Sequence, residues 1–332
     1  MILHYDELRK FLIILLPVTV VWSCWFYFLG ITQALNTVLE HWQITVTMIF
    51  GSLIAGGTSM GGGVVAFPVF TKVLHIPAYD AKVFSLAIQS VGMGAASLII
   101  YLNKIPVEWR IIRWGSLGGL FGVFFGANIL AQLFPSAALK MSFSLMLSGF
   151  AITLFIINRN ERNPHLSMPC WGNTERIIIF IAGLLGGIMT GLVGTGIDIF
   201  VFIFMVLLFH LCEKVATPTS VILMAFNAMW GFFLQIWWFN DFSYTVQNYW
   251  LAAVPVVVIG APLGAVLCSY LNRLAIVYVL INFIIIELVS SLLLIPLNTT
   301  IIIYSSSFFT AFLFLNYWLL RVQRYRPLTY SP

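Results

Sequence analysis

The stretch AGGTSMGGGVVAFPVF at residues 55–70 places three consecutive glycines and a proline inside an apolar run that covers residues 43–75. This run is too long for one membrane-crossing helix and too short for two, because about 20 residues span the hydrocarbon. A second run of similar length, residues 177–210, is interrupted by TGLVGTGIDIFVFIF at residues 190–204. Non-helical backbone at membrane depth is tolerated only where it faces protein or water. Each run therefore predicts a re-entrant hairpin with a glycine-broken tip.

The composition places the chain in a membrane. Hydrophobic residues make up 61% of the 332 residues, charged residues make up only 8%, and the mean hydropathy is +1.01. A soluble globule must cover its surface with charged residues, so this composition excludes a soluble protein. The 16 basic residues lie mostly between apolar runs and in the C-terminal tail. That distribution is typical of membrane-protein loops, so we expect contact with the lipid bilayer and no nucleic-acid partner.

Eight further apolar runs have the length of one membrane crossing. They lie near residues 11–29, 83–101, 114–133, 137–157, 215–239, 248–270, 274–296 and 300–320. If both hairpins return to their side of entry, only Lys72, Lys82 and Lys140 face outside, which agrees with the positive-inside rule. If each long run were a single crossing, the rule would be violated. The sequence thus predicts a multi-pass protein of the cell membrane (plasma or inner membrane), with eight or nine full crossings and cytoplasmic N- and C-termini.

The two hairpins begin two copies of one unit. Gly61 aligns with Gly196 and Ser85 aligns with Ser220, and each hairpin is followed by three crossings. The first hairpin opens outside and the second opens inside, so the predicted fold is an all-α polytopic membrane protein with two inverted repeats. The predicted segments are an N-terminal helix and external loop (1–42), the first repeat (43–157), a cytoplasmic loop (158–176), the second repeat (177–296), and a C-terminal helix with a basic cytoplasmic tail (297–332).

These segments resemble the TauE/SafE family of sulfite and organosulfonate exporters. The family pattern is two copies of a Gly-x-Gly-Gly-Gly segment with a proline five residues on, each followed by Ala-x-x-x-Ser. The matching residues are Gly61, Gly62, Gly63, Pro68, Ala81 and Ser85 in the first copy, and Gly194, Gly196, Ala216 and Ser220 in the second. In the second copy Ile197 and Asp198 replace two glycines, and Ile203 stands at the proline position. The resemblance covers about residues 43–296 and implies a carrier for a sulfur oxyanion or a sulfonate.

The broken tips are candidate anion sites. A break exposes backbone N–H groups, and the start of a half-helix favours an anion by roughly 0.3 to 2 kcal/mol in a partly buried site. The candidate substrate-binding residues are Gly61, Gly62, Gly63, Ser85, Gln89, Gly194, Gly196, Ser220 and Asn227. The alternatives are close helix packing for the glycines and hydrogen bonds back to helix carbonyls for the serines. The spaced glycines Gly118, Gly122, Gly126, Gly260 and Gly264 instead predict packing seams between helices.

Two acidic residues, Asp198 and Glu287, lie inside apolar runs, where a charged side chain is costly. An ionised carboxylate at the second tip would repel an anion unless a proton or a sodium ion neutralised it. We therefore predict that Asp198 and Glu287 couple anion transport to a proton or sodium gradient. The alternatives are a helix cap for Asp198 and a structural contact between Glu287 and a hydroxyl such as that of Ser290.

The predicted function is secondary transport of a small sulfur-containing anion, such as sulfite, thiosulfate or an organosulfonate, by alternating access. The sequence contains no nucleotide-binding, zinc-protease or nucleophile-elbow motif. We therefore expect no enzymatic activity, no catalytic residues, no metal site and no cofactor. An anion channel and a non-transporting sensor or scaffold stay open as alternatives, and the oligomeric state, including a homo-oligomer, is also open.

Overall fold

The computed structural model is built mainly from helices. It describes residues 12–59, 61–62, 69–132, 136–158, 163–295, 298–322 and 325. The α-helices are α1 (Leu15–Leu29), α2 (Ile31–Glu40), α3 (Trp42–Gly57), α4 (Ala78–Leu102), α5 (Trp109–Asn128), α6 (Ser136–Asn158), α7 (Asn173–Val193), α8 (Ile197–Ile203), α9 (Glu213–Trp237), α10 (Tyr244–Tyr270), α11 (Arg273–Leu294) and α12 (Thr299–Arg321). Two π-helical turns, Val69–Val73 and Phe204–Leu208, and a short 3-10 turn, Leu130–Gln132, complete the described secondary structure.

Seven helices in the described ranges are long and apolar enough to cross a membrane, namely α4, α6, α7, α9, α10, α11 and α12. Helices α1 and α2 are long and apolar enough for a crossing only when they are taken together, and the chain bends by 100° between them at Gly30. The predicted crossing at residues 114–133 is helix α5, which starts and ends earlier in the chain and carries Arg110 and Arg113 in its first turns. Because these arginines make it less apolar, α5 is not among the seven. The predicted all-helical, polytopic membrane fold is confirmed.

Both ends of the second predicted hairpin lie at the same end of the molecule. This segment comprises α7, α8 and the second π-helical turn. The N–H of His165, before α7, donates to the carbonyl of His210, and the N–H of Cys212 donates to the carbonyl of His165, both at 2.8 Å. The chain therefore leaves and returns to one end, as a re-entrant hairpin does. Its first limb is longer than a half-crossing, because α7 has 21 residues.

Both ends of the first predicted hairpin lie at the opposite end. The ring of His41, just before α3, packs 5.2 Å from the ring of Tyr249 near the start of α10. Beyond the hairpin, the hydroxyl of Tyr79 in α4 donates a hydrogen bond to Asp241, which also precedes α10. Helix α9 joins this end to the end that holds Cys212. Of the tip itself, Met60 and residues 63–68 lie outside the described residues.

The two π-helical turns have the same backbone pattern. Each is followed by a histidine in the left-handed region, His75 and His210, both with φ of 53°. The next residue, Ile76 or Leu211, donates its N–H to the second residue of the turn, at 2.8 and 2.9 Å. His210 follows His75 by the same number of residues as Gly196 follows Gly61. The backbone thus supports the duplication, while the inversion of the two halves stays a prediction.

Glycine seams attach each hairpin to the other half of the chain. On α5, Gly118, Gly122 and Gly126 face the backbone of α7, and a β-carbon at any of them would collide with it. On α10, Gly260 and Gly264 face α3 so closely that a β-carbon would collide there too. The packing role predicted for these five glycines is confirmed, because small residues let helix backbones approach closely. Each hairpin therefore packs against a long helix from the other half of the chain.

Candidate functional site

The tips of the two hairpins meet at a buried point beside Gly61. This glycine has a left-handed φ of 66°. A β-carbon on it would lie 2.9 Å from each of three side-chain oxygens, Oε1 of Gln89, Oγ1 of Thr195 and Oδ2 of Asp198. The three residues are 3%, 1% and 0% exposed. Only glycine fits at position 61, because the conformation and the three oxygens both exclude a side chain.

Helix α8 starts at the second tip with its backbone donors already occupied. Oδ1 of Asp198 accepts hydrogen bonds from the N–H of Gly196 at 3.2 Å and of Ile199 at 3.0 Å. The N–H of Ile197 donates to Oγ1 of Thr190 at 2.9 Å. Asp198 therefore caps this half-helix, which was one of the two alternatives. These donors are not available to an anion, while the second carboxylate oxygen, Oδ2, faces the side chains of Gln89 and Thr195 beside Gly61.

Helix α4 contributes Ser85 and Gln89, which lie one turn apart on the same helix face. The hydroxyl of Ser85 donates to the carbonyl of Gly194 at 3.1 Å, and Nε2 of Gln89 lies 2.9 Å from the same carbonyl oxygen. Gly194 is also left-handed, with φ of 92°. A β-carbon on it would lie 2.9 Å from the β-carbon of Ser85. Three predicted residues thus meet where α4 contacts the second tip.

The chain also matches a known protein family. The model of the family described as "Sulfite exporter TauE/SafE" matches residues 44–291. The chain belongs to the TauE/SafE family. The matched range agrees with the resemblance found in the sequence, and the family implies membrane transport of sulfite or a related sulfur anion. No curated protein and no solved structure matches the chain.

The other predicted glycines of this TauE/SafE chain have different surroundings. A β-carbon on Gly62 would make ordinary contacts with the Ala55 side chain and the Gly51 carbonyl, both at 3.5 Å. One on Gly196 would lie 2.7 Å from the β-carbon of Met189 in α7, so Gly196 permits close packing inside the second hairpin. Gly63 lies outside the described residues. Among the described glycines of the triplet, Gly61 faces the three oxygens and Gly62 faces α3.

Two predicted polar residues of the TauE/SafE chain bond back to their own helix, α9. The hydroxyl of Ser220 donates to the carbonyl of Thr217 at 2.8 Å, as the alternative prediction proposed. Nδ2 of Asn227 donates to the carbonyl of Leu223 at 2.8 Å. Its Oδ1 points at Gly119 of α5, where a β-carbon would collide with it. These contacts place neither side chain at the three-oxygen cluster.

Glu287 lies between α6 and α11, a different helix pair from those that carry the cluster. Its Oε1 accepts hydrogen bonds from Ser144 at 2.7 Å and from Ser291 at 3.0 Å. Ser290, the partner suggested by the sequence, instead donates to the backbone carbonyl of Glu287 at 2.8 Å. The polar contact proposed as the alternative for Glu287 is therefore present, with other hydroxyls than the predicted one.

Two residues near the tips were not predicted from the sequence. Thr195 lies between the aligned glycines of the second copy, and this position was its only signal. Lys82 is 4% exposed, and its ammonium lies 4.3 Å from the ring centre of Tyr79. It precedes Ser85 by three residues and Gln89 by seven, so it shares their helix face. In the sequence, Lys82 is marked only by being a single lysine in an apolar helix, three residues before Ser85 and seven before Gln89.

Proposed function

We propose that this TauE/SafE protein is a secondary carrier for sulfite, thiosulfate or an organosulfonate. The observation that carries the proposal is the buried contact between two hairpin tips, where one oxygen of the Asp198 carboxylate faces the side-chain oxygens of Gln89 and Thr195 beside Gly61. An intramembrane carboxylate at such a contact is typical of a coupling site. The anion binds beside the three-oxygen cluster, toward Gly61. Its movement is coupled to a proton or sodium gradient.

Lys82 supports an anionic substrate. Its buried positive charge lies on the same helix face as Ser85 and Gln89, about one turn nearer the end of the molecule that holds Asp241. Attraction between unit charges is several times stronger in such a partly buried place than in water. Lys82 thus draws a small anion toward the tips.

The distribution of charges supports the orientation in the cell membrane. Arg110, Arg273 and Arg321 lie at the end that holds His165, where Arg273 donates to Asn158 at 2.8 Å. Lys82 lies at the other end. By the positive-inside rule the first end is cytoplasmic, together with the chain termini. Alternating access then consists of rocking between the two halves, which exposes the tips to one side at a time.

The first test is a substrate panel on the purified protein. The choline salts of sulfite, thiosulfate, sulfate and sulfoacetate, and taurine as its zwitterion, are added at constant sodium concentration, and the thermal unfolding midpoint is measured. A substrate at about 100 times its dissociation constant stabilises the folded protein by about 2.7 kcal/mol. We expect this for at least one of sulfite, thiosulfate and sulfoacetate, and a weaker response in Lys82→Met.

Chloride at the same concentration is the matched control, because it has the same sign of charge without the sulfur oxyanion. Equal shifts from chloride and from every member of the panel would contradict a specific sulfur-anion site. A full response in Lys82→Met would show that this lysine does not take part in binding the anion.

A further inference from the structure

We propose that a sodium ion binds between the hairpin tips, held by Oε1 of Gln89, Oγ1 of Thr195 and Oδ2 of Asp198 beside Gly61. The inference rests on the proposed function only for the ion's role, which is that of the coupling ion. The site itself follows from the arrangement of buried oxygens.

The three oxygens lie close together beside the Gly61 backbone, each 2.9 Å from the position that a β-carbon on Gly61 would take. The Thr195 hydroxyl is the one donor among them and lies within reach of the Asp198 carboxylate. Buried polar atoms in proteins are nearly always satisfied, so three buried oxygens that share this single proton require an explanation. A small cation beside them is a partner for all three.

The orientation of the Gln89 amide is fixed by its surroundings. Its Nε2 donates to two backbone carbonyls, those of Gly194 at 2.9 Å and Ser85 at 3.1 Å. Exchanging the amide oxygen and nitrogen would set oxygen against these carbonyl oxygens, so the oxygen must face the cluster. The amide therefore presents an acceptor to the cluster, as a cation requires and an anion does not.

The charge of Asp198 has no basic counterpart among the described residues. The described salt bridges join Arg110 to Glu108 and Arg273 to Glu213, and neither involves Asp198. Its Oδ1 is held by two backbone N–H groups, while Oδ2 faces the cluster. A fully buried, unpaired carboxylate is strongly unfavourable, and a bound cation provides the pairing charge.

Two helix ends add to the negative potential. The tips directly follow the C-terminal ends of α3, at Gly57, and of α7, at Val193. A helix C-terminus carries about half a negative charge, and such ends coordinate sodium in membrane carriers built on broken helices. The opposing N-terminus of α8 is neutralised by Oδ1 of Asp198.

The set of ligands favours a monovalent ion. Sites for calcium or magnesium generally rely on several carboxylates or on substrate phosphates, whereas this cluster has one carboxylate with an amide oxygen and a hydroxyl. Each of the three oxygens lies 2.9 Å from one position beside Gly61, and such close spacing suits a small ion. Sodium meets both conditions.

The test is a sodium titration of the purified protein in detergent without any anionic substrate. Sodium chloride replaces choline chloride at constant ionic strength and pH, and the thermal unfolding midpoint is followed. We expect the midpoint to rise and saturate with sodium but not with potassium. Asp198→Asn should lose the response, and Thr195→Val should raise the half-saturating sodium concentration at least about tenfold, because even the loss of an outer-shell partner costs a metal site about 10- to 100-fold in affinity.

Thr153→Val in α6 is the matched control, because its hydroxyl donates to the carbonyl of Gly149 in its own helix and belongs to no cluster. It should titrate like the wild type. A wild-type midpoint that ignores sodium, or that responds equally to potassium, would overturn the proposal, and so would a response unchanged in Thr195→Val. Since the titration contains no substrate, its failure is distinguishable from failure of the substrate panel.

Discussion

Gly61→Ala is expected to reduce the initial rate of sulfite transport by about 100-fold, since disturbing even one ligand of an ion site costs about tenfold or more. The new β-carbon would lie 2.9 Å from three oxygens of the cluster, which would have to move apart. The left-handed backbone at φ of 66° adds strain of about 1 to 2 kcal/mol for alanine. Transport is measured in proteoliposomes, normalised to the amount of correctly folded protein.

Gly62→Ala is the matched control for this prediction. It makes the same chemical change at the next residue, where the β-carbon meets its nearest neighbours at an ordinary 3.5 Å. We expect near-normal transport. Equal rates in the two variants would show that the contact between Gly61 and the cluster is not part of the transport site.

Gly122→Ala is expected to abolish most of the folded protein rather than to alter the site. Its β-carbon would collide with the carbonyl of Leu184 and lie 2.8 Å from the N–H nitrogen of Ile188, both in the backbone of α7. A backbone cannot give way as a flexible side chain does, so the helices must separate, at a cost near or above the roughly 3 kcal/mol upper end of the usual range for overpacking. The measurement is the yield of monodisperse protein by size-exclusion chromatography.

Gly94→Ala in α4 provides the comparison. Its β-carbon would meet only the terminal methyl of Met229, at 3.5 Å, and alanine is the better helix former. We expect a yield equal to or above that of the wild type. A similar loss in both variants would indicate that any glycine replacement harms the fold, and a normal yield of Gly122→Ala would contradict the tight seam.

The sequence was sufficient to predict the membrane environment, the helical fold and the broken segments. A hydropathy excess and glycines in the middle of long apolar runs are local properties, and they persist in the folded chain. The predicted duplication rests on the alignment of Gly61 with Gly196 and of Ser85 with Ser220, and the matching π-helical turns support it. The length of α7 was not predicted from the sequence, where glycines at helix spacing such as Gly183 and Gly187 support a continuous helix seam up to the break.

The roles of individual residues depended on contacts between distant segments and were harder to predict. Nothing in the sequence distinguishes Gly61, which faces oxygens of α4 and the second tip, from Gly62, which packs on α3. The two roles predicted for Asp198, a helix cap and a coupling residue, do not exclude each other. Only the first of its two carboxylate oxygens is used in the cap, and the second faces the cluster. Thr195 could not be predicted as a ligand from the sequence, where only the glycines beside it mark the position. A hydroxyl becomes a candidate ligand only when other oxygens surround it in the fold.

The most direct test of the central claim is sulfite accumulation in sealed proteoliposomes across an imposed sodium gradient. A sodium-coupled carrier should drive labelled sulfite above its equilibrium concentration, and the accumulation should collapse when the gradient is dissipated. Asp198→Asn should lose this accumulation. Sulfite that only equilibrates, at a rate independent of sodium, would contradict coupled transport and indicate a channel, and the absence of any flux would contradict transport itself.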